Sequence, residues 1–540
     1  MKITLPSQRT RIAFLMLAVG ALAANAAKAQ TAPSSIAAPV AGETASTGAG
    51  IVTPAPLGWD AMNSQDLAVM ADFVIRTSEE HGLFLTANEQ RQIDQLRMMS
   101  PESARATLIP MFVSMARQLN GGRLTPTDVG NDIRFKRKMM KEDELQKHVV
   151  AAQGSREKLN AAIAPQIIEY KMLVKMMARL KQQKAEQVAN PLPEIPAVKK
   201  PLKLGSVDAS IPAIKMRLAA LGFPISSMDN KFDRDTEMAV ADVQRQMKFK
   251  PDRVISPKGS TLRYLSTSVD ARIQQVRADL EKLRWLPQDP GRKYIFVNLA
   301  FSSLILMDYN QSNPVVMNFR TINGRVDRKT PSMADKIFQV ILNPFWTVPP
   351  TVFIKDKVEA IKQLSYWEID HYFAQNHYTV VSENFRTQYN PSSIDWHNIS
   401  SSKVGFYIRQ LPNYYNALGV VKFSMTNGEA IYLHDTGERG LFVEENRLRS
   451  SGCVRVEQPM ELAEYLLKGT KWDRWAIENH VARPGDVMSK DTPIDLKNAS
   501  MNVYMLPVTS HLGSDQIMRF SDDVYGHNSS IRVLTSSGLY

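Results

Sequence analysis

The one cysteine of this 540-residue chain, Cys453, lies in the segment Ser450–Val456, which reads S-S-G-C-V-R-V. A histidine, His434, precedes it in the segment Y-L-H-D-T at residues 432–436. A thiol is a strong nucleophile only as its thiolate, and its ordinary pKa is about 8.5, so a neighbouring group must take the proton. Histidine titrates near neutral pH and suits that task. The pair therefore predicts nucleophilic catalysis, with Cys453 as nucleophile and His434 as base.

Residues beside this pair fit the same chemistry. Asp435 follows His434 directly, and either its carboxylate or its backbone carbonyl would orient the imidazole; the sequence leaves both open. Gly452 lets the backbone approach a substrate, and the amide nitrogens near Cys453 are candidate oxyanion donors. Tyr432 lies two residues before His434, so on a strand the two side chains share a face. The alternative for Cys453 is an inert, buried thiol, but the flanking residues and the histidine segment argue against it.

The N-terminus has the order of an export signal. Basic residues come first, an uncharged apolar run follows at 12–24, and small residues lead up to Ala29. This order predicts a signal peptide at residues 1–29, cleaved after Ala29 or after Ala26. The apolar run is shorter than the about 20 residues that cross a membrane. We expect a periplasmic protein without a membrane span after cleavage, in which one cysteine cannot form an internal disulfide.

The net charge and the histidine content limit which classes of partner, metal and cofactor are expected. The formal net charge of +12 falls to 12 − 4 = +8 once the predicted signal peptide, with four cationic and no acidic residues, is removed. This charge suits an anionic polymer such as cell wall or an anionic membrane face, and a solvated surface is the alternative; nucleic acid is not expected in that compartment. The nine histidines contain no H-E-x-x-H segment, and one cysteine cannot build a zinc site by itself. Neither a metal nor another cofactor is therefore expected.

Helical patterns dominate the N-terminal half. The segment Ser100–Glu102 (S-P-E) predicts a helix start, and Pro110 is expected to kink or split the helix that follows. One apolar stripe is predicted along a later helix by Ile163, Ile167, Tyr170, Leu173, Met177 and Leu180. A further helix over 268–286 is expected to pack back onto this region.

The residue pattern of the sequence changes after Trp285. Residues 294–299, 303–307, 315–322 and 337–342 are predicted strands, because β-branched and aromatic residues are enriched there. Residues 356–403 turn irregular and aromatic, which indicates either a lid or binding loop or a small local core. We expect an α+β multidomain chain in this order: signal peptide 1–29, flexible linker 30–57, helical scaffold 58–203 continued by 268–290, a small three-helix unit 204–267, a mainly β catalytic domain 291–505, and a C-terminal extension 506–540 packed on that domain.

The two boxes together resemble a known family. A histidine, a spacer of about eighteen residues and the pattern S-x-G-C are similar to the L,D-transpeptidases with a YkuD domain. Closer still is the YcbB-like subgroup, whose histidine box resembles Y-L-H-D-T and whose cysteine box resembles S-S-G-C-V-R-V. Residues 343–349, 409–412, 416–419 and 421–423 also resemble this subgroup. The cysteine box departs from smaller family members, which place a histidine where Ser451 stands.

The three-helix unit resembles the peptidoglycan-binding domain type 1. Its departure is the segment Phe249–Arg253, which stands where that domain has a glycine-rich loop. A helical spacer without a ligand is therefore the alternative, because fold alone does not fix function.

The family resemblance implies roles at individual positions. Cys453 would be the acylated nucleophile and His434 its base and later acid. Asp435 would support the imidazole, in the family often through its backbone carbonyl. Gly452 would contribute backbone to the oxyanion site, and Arg455 would orient the loop or a substrate carboxylate. The remaining expected substrate contacts are Tyr432, Ser451 and Trp346, under a capping subdomain at 356–403.

The implied reaction is acyl transfer in peptidoglycan. The thiolate would attack the bond before the terminal D-alanine of a tetrapeptide stem, release D-alanine and leave a thioester on Cys453. An amine of a second stem would then form a 3→3 cross-link. Carbapenems would acylate the same thiol, and other cell-wall synthases are candidate partners. Water as acceptor would make an L,D-carboxypeptidase, a protein lysine would give protein anchoring, and a non-catalytic cell-wall-binding scaffold is the alternative of another class.

Other enzyme classes fit the chain less well. A papain-like protease places its cysteine before its histidine, which is the reverse of the order here. A sortase has histidine before cysteine but lacks this cysteine box and the helical scaffold. A penicillin-binding serine enzyme needs K-T-G, whereas the nearest segment here, Lys329–Pro331, reads K-T-P.

Overall fold

The structure, a computed structural model, describes residues 58–247, 250–310 and 312–537. The predicted signal peptide and the predicted linker at 30–57 lie outside the described residues. Among the helices that the structure describes, none is both long and apolar enough to cross a bilayer.

A helical unit opens the described chain. Two of its helices begin with capping boxes, in which Asn63 caps with Asp66 and Thr86 caps with Glu89. The helix predicted to start at Ser100–Glu102 begins instead at Arg105, after a turn. It runs unbroken through Pro110, so the predicted split is wrong. The helices of this unit are Ser64–Asp72 with its continuation to Glu80, Ala87–Leu96, Arg105–Gly121, Pro126–Val129, Glu142–Ala152, Arg156–Ile163 and Ile168–Ala189.

The predicted apolar stripe is buried but divided. Ile163 ends one helix and Ile168 begins the next, because Pro165 between them has no N–H to continue the ladder. All six predicted stripe residues nevertheless join one core.

The small unit has the three predicted helices, at Ile211–Leu221, Arg234–Gln246 and Ser260–Leu265. Lys215 is fully buried there and pairs with Asp229 at 2.8 Å and Asp233 at 2.5 Å. These ion pairs tie the first helix to the loop that leads into the second.

The helix Val269–Arg284 returns to the helical unit, as predicted. Glu281 on this helix accepts hydrogen bonds from the backbone N–H groups of Arg123 at 2.6 Å and Leu124 at 2.8 Å. Asp279 accepts from the backbone N–H of Thr509 at 3.0 Å. One helix therefore connects the helical unit to the C-terminal segment.

The catalytic unit is built on a large sheet that closes on itself. The strand Val315–Gly324 pairs with Val454–Val456 on one side and with Ser303–Asp308 on the other, so the path of neighbouring strands returns to its start. The four strands predicted from the sequence are confirmed. The sheet contains Lys293–Asn298, Ser303–Asp308, Val315–Gly324, Met333–Leu342, Val421–Met425, Leu433–His434, Leu448–Ser450, Val454–Val456, Thr492–Asp495 and Met501–Leu506, with the helices Pro459–Leu466 and Arg474–His480 beside it.

The aromatic insertion is a folded subdomain. The prediction of irregular chain is wrong, because the insertion has its own sheet of Trp346–Thr347, Phe406–Gln410, Tyr378–Ser382 and Gln388–Tyr389, and a helix at Tyr366–Gln375. Its core of buried residues runs from Val348 to Ile408, wider than the predicted 356–403. The local-core alternative describes its aromatic content correctly. We call residues 346–410 the cap.

The C-terminal segment contacts the large sheet, the helical unit and the three-helix unit, where its Arg519 pairs with Asp242 at 3.0 Å. It contains the strands Ser510–Leu512 and Met518–Phe520 and the helix His527–Ser536. Tyr525 donates to the carbonyl of Gly324 in the large sheet at 2.7 Å. His527 contacts Asp132 of the helical unit at 2.9 Å. The expected packing on the catalytic domain describes only part of these contacts.

Candidate active site

The strand register places the two predicted catalytic residues on one face of the large sheet. Leu433–His434 runs parallel to Val454–Val456, with His434 opposite Arg455. Because side chains alternate across a strand, Tyr432, His434, Cys453 and Arg455 face the same side. Their neighbours Leu433, Val454 and Val456 are fully buried on the other side, which anchors this register.

His434 is held by a backbone carbonyl. Its Nδ1 hydrogen-bonds to the carbonyl of Asp435, and the ring is only 4% exposed. A carbonyl can only accept, so Nδ1 carries the proton and Nε2 keeps its lone pair. The alternative that the sequence left open is thereby resolved in favour of the carbonyl.

The Asp435 carboxylate serves the loop behind the histidine. It accepts from the N–H of Val420 at 2.9 Å and from the guanidinium of Arg439. Gly419 borders it closely, because a Cβ on that glycine would lie 2.2 Å from Asp435 Oδ2. Burial raises the pKa of this carboxyl, and the Arg439 charge opposes the shift.

The loop before Cys453 is shaped by Ser450 and Gly452. Ser450 Oγ donates to the carbonyl of Cys453 and accepts from the N–H of Gly452 at 3.2 Å. Gly452 has φ +124°, a conformation that favours glycine. The Gly452 N–H is thus engaged within the loop in this structure, and the predicted backbone contribution of Gly452 to the oxyanion site stays a prediction. No backbone hydrogen bond engages the N–H of Cys453 in the part of the chain that the structure describes, so this N–H is the candidate donor.

The half-buried thiol of Cys453 points toward a carbonyl. Its Sγ donates to the carbonyl of Ala430 at 3.5 Å. Among the described residues, no hydrogen bond joins Cys453 to His434. Glu429, the residue before Ala430, pairs with Arg134 of the helical unit. The helical unit therefore contacts the segment that contains Ala430, whose carbonyl accepts the hydrogen bond from the thiol.

The electrostatics keep both members of the dyad neutral at rest. Burial raises the pKa of Cys453 to about 11, although hydrogen bonds from Tyr432 and the charges of Lys422 and Arg455 oppose it. Burial and the Arg455 charge lower the pKa of His434 to about 3. At neutral pH the pair is consequently a thiol and a neutral imidazole, not a preformed ion pair.

Lys422 is a site residue that the sequence reasoning missed. It lies opposite His434 on the neighbouring strand Val421–Met425, so it shares the face of the thiol. Its ammonium sits 4.2 Å from the ring centroid of Tyr432. Burial lowers its pKa, while the Cys453 thiolate and Asp491 oppose that shift. A lysine at an alternating position of a predicted strand is the signal that could have found it.

Two arginines hold the loops around Cys453. Arg455 pairs with Glu438 at 2.6 Å, so it orients the loop between the two boxes. Arg328 donates to Ser451 Oγ at 3.1 Å and pairs with Asp356 of the cap. The cap is thus linked to the residue that lies two positions before the thiol, and this link was not predicted.

Trp346 lies away from this face. It belongs to the cap sheet, opposite Gln410, and its ring lies 6.3 Å from that of Tyr378. A substrate contact by Trp346 stays a prediction. No group of three or more histidine, cysteine, aspartate or glutamate side chains arranged to hold a metal occurs among the described residues.

Comparisons with known proteins agree with this arrangement. The YkuD model, described as the L,D-transpeptidase catalytic domain, matches residues 292–473. A second model, described as a putative peptidoglycan binding domain, matches residues 208–258. A curated protein of Haemophilus influenzae, named a putative L,D-transpeptidase, is 31% identical over 271 residues, which cover 50% of this chain and 51% of that protein. The match thus spans about half the length of that relative.

Two solved structures are distant likenesses. An L,D-transpeptidase from Xylanimonas cellulosilytica is 13% identical, with 58% of this chain and 100% of that chain covered and a TM-score of 0.18. A fused Zn-dependent amidase/peptidase/peptidoglycan-binding domain-containing protein from Clostridium acetobutylicum is 19% identical, with 26% and 69% covered and a TM-score of 0.12. At these scores neither bears on the fold. The site geometry and the two family matches agree: residues 292–473 are similar to the L,D-transpeptidase catalytic domain described by the YkuD model, and residues 208–258, earlier in the chain, are similar to a putative peptidoglycan binding domain.

Proposed function

We propose that this chain is a periplasmic, cysteine-dependent L,D-transpeptidase that forms 3→3 cross-links between peptidoglycan tetrapeptide stems. The observation that carries the proposal is the shared sheet face of Cys453 and His434, with the histidine Nδ1 held by the Asp435 carbonyl. That arrangement leaves Nε2 of His434 without a hydrogen-bond partner among the described residues. The predicted export signal and the match to a putative peptidoglycan binding domain support the same compartment and the same polymer.

In the first half-reaction the thiol of Cys453 is acylated by the donor stem. The S–H turns from the Ala430 carbonyl to His434 Nε2, which takes the proton as Sγ bonds to the carbonyl carbon before the terminal D-alanine. The carbonyl oxygen becomes an oxyanion, for which the N–H of Cys453 is the donor. The tetrahedral intermediate then expels the D-alanine nitrogen, which receives the proton from His434. A thioester on Cys453 and free D-alanine result.

In the second half-reaction an amine of another stem attacks the thioester. His434 Nε2 takes a proton from the attacking nitrogen, and the new amide forms as the C–S bond breaks. The proton returns to Sγ and restores the neutral thiol. Because the charges of Lys422 and Arg455 disfavour an imidazolium, the protonated histidine is a transient of each half-reaction.

Three other outcomes use the same protein. Water as acceptor gives an L,D-carboxypeptidase, and a protein lysine gives anchoring of that protein to the wall. A scaffold that only binds cell wall needs neither Cys453 nor His434. Acceptor choice depends on the shape of the cleft and not on the dyad, so an experiment must decide among these outcomes.

The test is incubation of the full chain with purified disaccharide-tetrapeptide, followed by mass analysis. We expect free D-alanine and a dimer that is lighter than two monomers by one D-alanine. Cys453→Ala should give neither product, and it should also lose a covalent carbapenem adduct. Tripeptide without dimer would indicate the carboxypeptidase. No D-alanine from the wild-type chain would refute the enzyme and favour the scaffold.

A further inference from the structure

Arg409 of the cap lies against two aromatic rings. Its guanidinium carbon lies 3.6 Å from the ring centroid of Phe345 and 5.0 Å from that of Phe385. A guanidinium that contacts aromatic rings through its flat face keeps its N–H edge for polar contacts. These ring contacts restrict the position of the cation before any ligand arrives.

The N–H edge of Arg409 has no acceptor among the described residues. In that part of the chain no ion pair and no hydrogen bond involves its guanidinium, and its Nε is buried without a partner. The other arginines around the site differ, since Arg328 and Arg455 each hold a carboxylate at 2.6 Å. Burial disfavours the cation and lowers the pKa of Arg409, and the charge of Asp491 opposes that fall.

Strand register places Arg409 on the outer face of the cap sheet. It lies opposite Thr347 on one neighbouring strand and Thr379 on the other. The adjacent residue Ile408 points to the other side and is buried in the cap core. Arg409 thus belongs to a polar face and not to the core.

Asp491 relates this face to the catalytic sheet. Its negative charge acts on both Arg409 and Lys422, opposing in each case the fall of pKa caused by burial. Asp491 directly precedes the strand Thr492–Asp495, which pairs with Met333–Leu342, and Ile341 of that strand lies opposite Lys422. Arg409 of the cap and Lys422 of the large sheet are therefore under the influence of one carboxylate, that of Asp491.

We propose that Arg409 forms a subsite that binds a carboxylate of the donor peptide between the cap and the catalytic sheet. A planar guanidinium binds a carboxylate through two parallel N–H···O bonds, which supplies the acceptors that the N–H edge lacks. The inference rests on the proposed function, because that function makes the ligand a carboxylate-bearing stem. It assigns to Arg409 the recognition of the donor and no part in proton transfer.

The test uses binding, so it does not require acyl transfer. The full chain carrying Cys453→Ala is titrated with disaccharide-tetrapeptide and with versions in which each carboxylate in turn is replaced by an amide. One amide is expected to weaken binding about tenfold or more, as befits a lost charge-assisted pair. In the Cys453→Ala, Arg409→Gln chain the same amide should cost less than about twofold. Arg409→Lys, which keeps the charge without the planar fork, should retain only part of the discrimination.

Arg386→Gln is the matched control, since Arg386 is an exposed arginine of the same sheet region. It should bind every version as the Cys453→Ala parent does. The subsite is refuted if each amide costs the same with and without Arg409, or if the parent binds no stem at all. Thermal unfolding shows whether Arg409→Gln still folds. If it does not fold, the partial loss of discrimination in Arg409→Lys is the result that tests the subsite. A wild-type chain that releases no D-alanine while the parent still discriminates would refute the proposed function and leave the subsite standing.

Discussion

Arg328 donates two hydrogen bonds to the carboxylate of Asp356, one from Nη1 at 2.6 Å and one from Nη2 at 2.7 Å. The same Nη1 donates to Ser451 Oγ at 3.1 Å. Arg328 therefore connects the start of the cap to the segment that carries the nucleophile, and a bidentate pair fixes geometry better than a single contact.

The first prediction concerns this connection. Asp356→Asn removes the charge and one of the two acceptors, so the cap and the nucleophile segment should lose their common anchor. We expect the rate of D-alanine release to fall about tenfold, chiefly in kcat. Asp327→Asn is the control, because Asp327 is exposed and contacts Arg328 only at 4.0 Å. The exchanged pair Arg328→Asp with Asp356→Arg should recover part of the rate; equal rates for the two asparagine variants would contradict the idea.

The second prediction concerns Lys422. Its ammonium lowers the pKa of the Cys453 thiol, so Lys422→Met should raise that pKa further and slow alkylation of the thiol by iodoacetamide. Lys422→Arg should alkylate nearly as the wild type does. Lys336→Met is the matched control, since Lys336 is exposed on the neighbouring strand Met333–Leu342. The prediction fails if the pH dependence of alkylation is the same in Lys422→Met and in Lys336→Met.

The third prediction is a contrast between two pH profiles. Alkylation needs the thiolate, so its rate should rise about tenfold per pH unit toward the thiol pKa of about 11. Acylation by the tetrapeptide, followed as D-alanine release in a single turnover, starts from the neutral thiol and neutral imidazole. That state is populated between the pKa of His434 at about 3 and that of Cys453 at about 11, so acylation should be nearly flat from about pH 5 to about pH 9. Alkylation that is already pH-independent near neutrality would indicate a preformed thiolate instead.

The fourth prediction concerns Gly419. At φ +58°, an added Cβ would lie 2.2 Å from Asp435 Oδ2, and Asp435 in turn holds the histidine through its carbonyl. Gly419→Ala should lower the free energy of unfolding by about 2 kcal/mol or more and abolish D-alanine release. Gly428→Ala, where a Cβ would meet open space, should leave both unchanged. Denaturant unfolding and the release assay measure the two effects, and wild-type behaviour of Gly419→Ala would contradict the packing argument.

The sequence could predict those structural features that depend on residues close together in the chain. The histidine and cysteine boxes are contiguous segments, and strand alternation alone places Tyr432 and His434 on one face. The strands that begin at residue 293 were predictable for the same reason, since their apolar pattern is local.

Long-range pairs escaped prediction. Arg328 contacts Asp356, which is 28 residues away in the chain, and Ser451, which is 123 residues away. No local sequence pattern predicts such contacts. The cap was expected to be irregular because Gln388–Tyr389, the near partner of the strand Tyr378–Ser382, is very short, and its longer partner Phe406–Gln410 lies far along the chain. The hydrogen bond from the N–H of Gly452 to the hydroxyl of Ser450 is a contact between neighbouring residues that spacing does not reveal.

The raised pKa of Cys453 has a consequence for the resistance of this thiol to oxidation. Peroxides and disulfides react with thiolates, and sulfenic acid formation follows thiolate content. A thiol with a pKa of about 11 exposes very little thiolate at neutral pH. The same burial that raises the pKa of Cys453 therefore shields this sulfur from oxidants.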